Sequence, residues 1–146
     1  MMEPYSQTGS FCLSAPLDAV MPLFTAEGER RWAKGWAPEF LSGGVARGSA
    51  FRTRNAQGQV TTWIVVAFDP HAGRASYARL AEGSNIGLVD VACTPAAGGG
   101  TNVSVTYTMT PLHAGAAGFV HEFLSPARYG QMIAEWAEAT AAALRG

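Results

Sequence analysis

Residues 101–110, TNVSVTYTMT, alternate without a fault, with Val103, Val105, Tyr107 and Met109 on one side and Asn102, Ser104, Thr106 and Thr108 on the other. Side chains of a strand switch face at every residue, so the first set is buried and the second is wet. A strand of this kind cannot stand alone: its apolar face needs flanking strands and a cover. Four more runs rich in β-branched and aromatic residues precede it, GSAFRTR (48–54), VTTWIVVAFD (60–69), RASYARL (74–80) and NIGLVDVACT (85–94). The links between them, Asn55–Gly58, Asp69–Gly73, Glu82–Ser84 and Pro95–Gly100, are built from turn-forming residues. Links this short join antiparallel neighbours, so the middle of the chain reads as a meander.

Helical patterns flank the meander. TGSFCLSA (8–15) has the alternation of a short strand, and Pro16 then opens a helix with Asp18 in its first turn and Leu17, Val20, Met21 and Phe24 at helical spacing. A second short helix is expected over Glu29–Lys34, stopped by Gly35 and kept from continuing by Pro38. Beyond Pro111 a long alanine-rich segment places Tyr129, Ile133, Trp136, Thr140 and Leu144 on one stripe, with Phe119, Val120, Phe123 and Leu124 forming an apolar surface before it. Pro126 should kink or break that helix. The fold class is therefore α+β, a curved antiparallel sheet wrapped around a long C-terminal helix, with two short helices closing one end. A chain of 146 residues is expected to form one domain, over 1–146.

This order of elements resembles the helix-grip fold of the START and birch-pollen-allergen superfamily, also called SRPBCC. The residues that carry the likeness are APLDAVMPLFTAEGERRWAKGWAPEF (15–40), GSAFRTR and the terminal EWAEATAAALRG. Within the superfamily they are most similar to small bacterial members of the polyketide cyclase or dehydrase-like kind. The resemblance implies about seven strands, with EFLSG (39–43) as a short extra one, and a cavity between sheet and long helix. On this topology Cys12 lies on the first strand, which pairs with the last, and Cys93 on the strand before the last. Two strand spacings separate them by roughly 9–10 Å, beyond the roughly 7 Å limit between Cα atoms of a disulfide. Both thiols are expected to be free.

Composition narrows the function classes. Only 14% of residues are charged and the net charge is −1, with basic residues scattered apart from Arg30, Arg31 and Lys34, so no nucleic-acid partner is expected. The N-terminus lacks the basic and apolar regions of a signal peptide, and no apolar run approaches the roughly 18 residues that span a membrane. A cytoplasmic protein without membrane insertion is the expectation. His71, His113 and His121 are far apart and lack carboxylate or cysteine neighbours at ligand spacing, so no metal is expected. Catalytic-serine, zinc-protease, P-loop and dinucleotide motifs are missing, and no cofactor is expected. AGGGTN (97–102) joins two strands rather than opening a helix, which leaves it a hairpin rather than a phosphate loop.

Candidate site residues fall into two groups. Asp90 interrupts an apolar run on the face of Ile86, Leu88 and Ala92: inside a cavity it would serve as general acid or base, and on a solvent face it would be inert or paired with Arg79 or Arg52. Tyr77, Arg79 and His121 complete the catalytic candidates. Trp36, Phe51, Trp63, Tyr77, Tyr107, Phe123, Tyr129 and Ile133 either line an apolar pocket or form ordinary core. In GERRWAKGWAPEF (28–40) the indoles are expected to rest on Leu17, Val20 and Phe24, with Arg30, Arg31 and Lys34 in solvent and Glu29 paired with one of them. Trp36 either packs there or closes the cavity mouth. Three functions stay open: binding of a small hydrophobic molecule (lipid-, polyketide- or aromatic-like), a cyclase- or dehydratase-like enzyme with a cavity acid/base, and a co-chaperone- or toxin-type interaction module. The resemblance favours the first, and a homodimer is left open.

Overall fold

The computed structural model describes residues 1–146. Val103, Val105, Tyr107 and Met109 are buried while Asn102 is exposed, so the alternation of the last strand is realised as read. Seven strands form one sheet: β1 (Tyr5–Leu13), β2 (Glu39–Phe40), β3 (Ala50–Arg54), β4 (Val60–Asp69), β5 (Arg74–Ala81), β6 (Asn85–Pro95) and β7 (Thr101–Pro111). Their order is β1-β7-β6-β5-β4-β3-β2, every pairing antiparallel. A register shift between Val65 and Ala67 puts a bulge in β4, which bends the strand and helps the sheet to curl. Strand β1 starts at Tyr5 and stops at Leu13, short of the expected Ala15, because the chain turns there toward Pro16 and its missing N–H.

Three helices accompany the sheet, α1 (Leu17–Val20), α2 (Ala117–Phe123) and α3 (Pro126–Arg145). Pro126 separates the last two by standing in the first turn of α3, where its lack of N–H costs nothing, and the Ser125 hydroxyl caps the turn by accepting from the Arg128 N–H at 3.3 Å. The stripe on α3 faces the sheet: Tyr129, Ile133 and Thr140 are buried, and Trp136 and Leu144 are half-buried beside them. Its closest approach is to β1, where a Cβ on Gly9 would lie 2.6 Å from Ile133 Cγ1. The Tyr129 hydroxyl donates to Val105 O at 2.7 Å, fixing the helix to β7.

Between β1 and β2 runs an arm. Helix α1 passes into a 3-10 turn (Met21–Phe24), and a second 3-10 turn covers Gly28–Arg31. That second turn is shorter and tighter than the helix expected over Glu29–Lys34. Gly28 sits so close to the preceding turn that a Cβ would lie 1.8 Å from Pro22 O, and Gly35 ends the segment at φ +77°. Polar ring edges hold the arm together: Trp32 Nε1–H donates to Leu23 O and Trp36 Nε1–H to Ala26 O, both at 2.8 Å. The Tyr77 hydroxyl of β5 donates to Phe24 O and ties the arm to the sheet. Both cysteines are free, Cys12 exposed on the outer face and Cys93 buried on the inner one. No helix is long and apolar enough to cross a membrane.

Candidate functional site

The arm, the concave face of the sheet, α2 and α3 line a partly open cavity of about 230 Å³. Its floor is Tyr77 and Arg79 of β5, Val89 and Val91 of β6 and Tyr107 of β7. The arm contributes Phe24, Glu29, Trp32, Ala33 and Trp36, while Phe51, Trp63, Phe123 and Trp136 close the sides. All four tryptophans of the chain are in this wall. Phe51 stacks on Trp63 at 5.8 Å with 6° between the rings, Trp36 meets both edge-on, and Trp32 meets Trp136 edge-on at 4.9 Å. Such edge-to-face contacts make a rigid frame from rings that cannot interdigitate.

Glu29 and Arg79 are the only acidic and basic residues in this lining. The Glu29 carboxyl has no hydrogen-bond or ion-pair partner in the protein, and burial pushes it from its ordinary 4.5 up to about 8. It therefore holds a proton through most of the neutral range. The Arg79 guanidinium lies 5.2 Å from the centre of the Trp63 ring and 6.0 Å from that of Tyr107. Its Nη1 donates to Asn85 Oδ1 at 2.7 Å, and Nε is buried without a partner. Burial pulls the Arg79 pKa down, opposed by Tyr107. Asn85 is itself 1% exposed, and its Nδ2 donates to Ser84 Oγ at 2.8 Å, so the amide is held with its oxygen toward Arg79. The Tyr107 hydroxyl has no protein partner; burial raises its pKa, Arg79 lowers it and Glu29 raises it, with a net value of about 12. A protonated carboxyl, a free phenol and a guanidinium thus face one apolar space.

Several expected site residues stand on this wall: Trp36, Phe51, Trp63, Tyr77, Arg79, Tyr107 and Phe123. The Tyr77 hydroxyl is already engaged by Phe24 O. Tyr129 and Ile133 are elsewhere, where α3 meets β7 and β1 respectively. Asp90 requires a correction. The inward positions of β6 are Val89, Val91 and Cys93, so Asp90 points from the outer face, where it accepts from Ser76 Oγ at 2.6 Å rather than pairing with Arg79 or Arg52. His121 is also outside the cavity, exposed on α2 with its ring 4.1 Å from that of Tyr5. Glu29 is the second correction: the acid that pairs with Arg30 is Glu27, at 3.0 Å. With about three residues per 3-10 turn, Glu29 and Trp32 share the inner side of the arm, and that spacing was the available signal. No three His, Cys, Asp or Glu side chains converge where they could hold a metal ion.

The sequence matches the family described as polyketide cyclase / dehydrase and lipid transport over residues 8–144. The chain belongs to that family. Solved structures agree on the fold of this family member. A putative uncharacterised protein from Rhizobium leguminosarum superposes with a TM-score of 0.72 at 20% identity, covering 99% of this chain and 97% of that one. Norcoclaurine synthase from Thalictrum flavum gives 0.70 at 10% identity, covering 97% and 86%. Ara h 8.0201 gives 0.68 at 14% identity, covering 99% and 97%. These likenesses establish the helix-grip architecture, with its seven-stranded sheet around the terminal helix. No curated protein sequence matches the chain.

Proposed function

We propose that this family member binds a small, mostly apolar molecule of one or two aromatic rings in the cavity beneath the arm. The observation that carries the reading is the largely aromatic, apolar frame around a space of about 230 Å³, in which Glu29 and Arg79 are the only acidic and basic residues. A dry protein cavity of roughly 150 Å³ holds one benzene, so the space here suits one ring with substituents or two fused rings. A long acyl chain or a four-ring polyketide would need the arm to move away. The family description, which couples cyclase and dehydrase activity with lipid transport, is compatible with such a cavity. Norcoclaurine synthase, a neighbour in fold, has been solved with dopamine and hydroxybenzaldehyde, both single-ring aromatics.

A second reading, an enzyme of the cyclase or dehydratase kind, is favoured by Glu29. A carboxyl raised to about 8 and facing an apolar cavity has the ionisation a general acid or base needs near neutral pH. Ligand binding comes first in either case, and the tryptophans report it directly. Titration with 2-naphthol should change the intrinsic fluorescence in a saturable way. Val91→Phe, which fills the cavity from its floor, should abolish the change while the protein stays folded. Saturable binding that survives Val91→Phe would remove the cavity from the account.

A further inference from the structure

The charges in the cavity wall constrain the ligand beyond its size, and this inference rests on the binding reading above. Arg79 has no acidic partner: the ion pairs of the chain are Arg30–Glu27 and Arg52–Glu39, both outside the cavity. Two arginines carry a buried Nε without a hydrogen-bond partner, Arg52 and Arg79. Arg52 already has Glu39 at 3.4 Å, whereas Arg79 has only the neutral amide of Asn85 and the faces of Trp63 and Tyr107. Ring faces and one amide oxygen offset part of the cost of holding a charge out of water, and a guanidinium does not escape that cost by losing its proton. Glu29 does not supply the missing charge, since it forms no ion pair with Arg79 and burial keeps it protonated up to about 8. Within the protein, this wall therefore carries one positive charge without an acidic partner. The unpartnered Tyr107 hydroxyl lines the same cavity as Arg79 and Glu29, with its ring 6.0 Å from the Arg79 guanidinium carbon.

We propose that the ligand is a one- or two-ring aromatic monoanion with its charge on oxygen, such as an arenecarboxylate, whose oxygen pairs with the Arg79 guanidinium and accepts from the Tyr107 hydroxyl. The anion completes the partnership that the protein leaves open, and the rings fill the frame of Trp36, Phe51 and Trp63. The pH dependence follows from Glu29. Above about 8 its carboxylate adds a negative charge to the same space and opposes an anionic ligand. The other titratable groups facing it are Tyr77 and Tyr107, both raised by burial and protonated in that window, and Arg79, which stays cationic. From α2 and α3 only Phe123 and Trp136 reach the cavity, and neither titrates.

The test is calorimetric titration of the protein with two matched pairs, benzoate with benzamide and 2-naphthoate with 2-naphthamide, at pH 7. In at least one pair the carboxylate should bind about tenfold or more tightly than its amide, as befits a charge-assisted hydrogen bond. Arg79→Met should erase that preference while the amide still binds, and Arg79→Lys should retain part of it. Between pH 7 and 9 carboxylate affinity should fall in the wild type and stay level in Glu29→Gln. Equal affinity for carboxylate and amide, or a preference that survives Arg79→Met, overturns the anion assignment and leaves cavity binding intact. Binding of none of the four probes overturns both.

Discussion

The concave face of one sheet is solid at one end and hollow at the other. At the β1 end α3 comes close: Gly9 has no side chain, Ile133 occupies its place, and Tyr129 reaches a backbone carbonyl of β7. At the β3–β5 end large rings meet edge-on and prop each other apart around empty space. The cavity in this chain is thus framed mainly by large rings rather than by small residues. Close packing comes from a glycine opposite a branched aliphatic side chain, and the void comes from rigid planes that cannot interleave. The atoms around the void give up dispersion contacts, and that same end houses the isolated carboxyl and the unpaired guanidinium. One end gains close packing, and the other forgoes it around the cavity.

That contrast can be broken by mutation. The largest effect is expected at the solid end, where Ile133→Ala should cost about 2–5 kcal/mol in denaturant unfolding and leave probe affinity unchanged. Loss of affinity in step with stability would mean the two ends act as one unit. Glu29→Gln should act in the opposite sense. A carboxyl at 4.5 in the unfolded chain and about 8 in the folded one contributes nothing unfavourable below the first value, and stability is then lost as pH rises toward the second. The amide does not titrate, so the variant should match the wild type near pH 4 and exceed it by up to ~3 kcal/mol at pH 7. Parallel stability–pH curves for the two proteins would show that Glu29 is not buried as described. The smallest effect is expected on the outer face, where Asp90→Asn keeps an acceptor for Ser76 and should shift stability by less than ~0.5 kcal/mol with no change in binding.

The fold was readable because its signals are local. Alternation in TNVSVTYTMT, turn residues between runs, and Pro126 in the terminal helix each act within a few residues of themselves. The inward set of β7 followed from period two alone. Most of the aromatic wall was readable for the same reason, since Phe51, Trp63, Tyr77 and Tyr107 occupy the inner phase of their strands. Glu29 was not. Its neighbours in sequence, Arg30, Arg31 and Lys34, are charged and exposed, whereas the partners that desolvate it, such as Tyr77 and Tyr107, arrive from β5 and β7. Asp90 misled for the converse reason. An acid in an apolar run suggests burial, yet Ile86 and Leu88 beside it are themselves exposed, so the outer face of β6 is apolar without being covered.

The stitching of the arm has a consequence for how the cavity exchanges its contents. The arm is bonded mainly to itself, through Trp32 to Leu23 O, Trp36 to Ala26 O, and Thr25 to Pro22 O and the Gly28 N–H. Its polar ties to the rest of the molecule include Tyr77 to Phe24 O and Arg31 to Ala143 O. Any opening therefore swings a preformed block instead of unravelling a loop. Amides inside the block, such as Ala33 bonded to Glu29 O at 2.8 Å, would stay protected from exchange with solvent throughout the motion. Such a swing would carry Glu29 into water, where a carboxyl near its ordinary pKa sheds its proton at pH 7. An opening of that kind would release a proton.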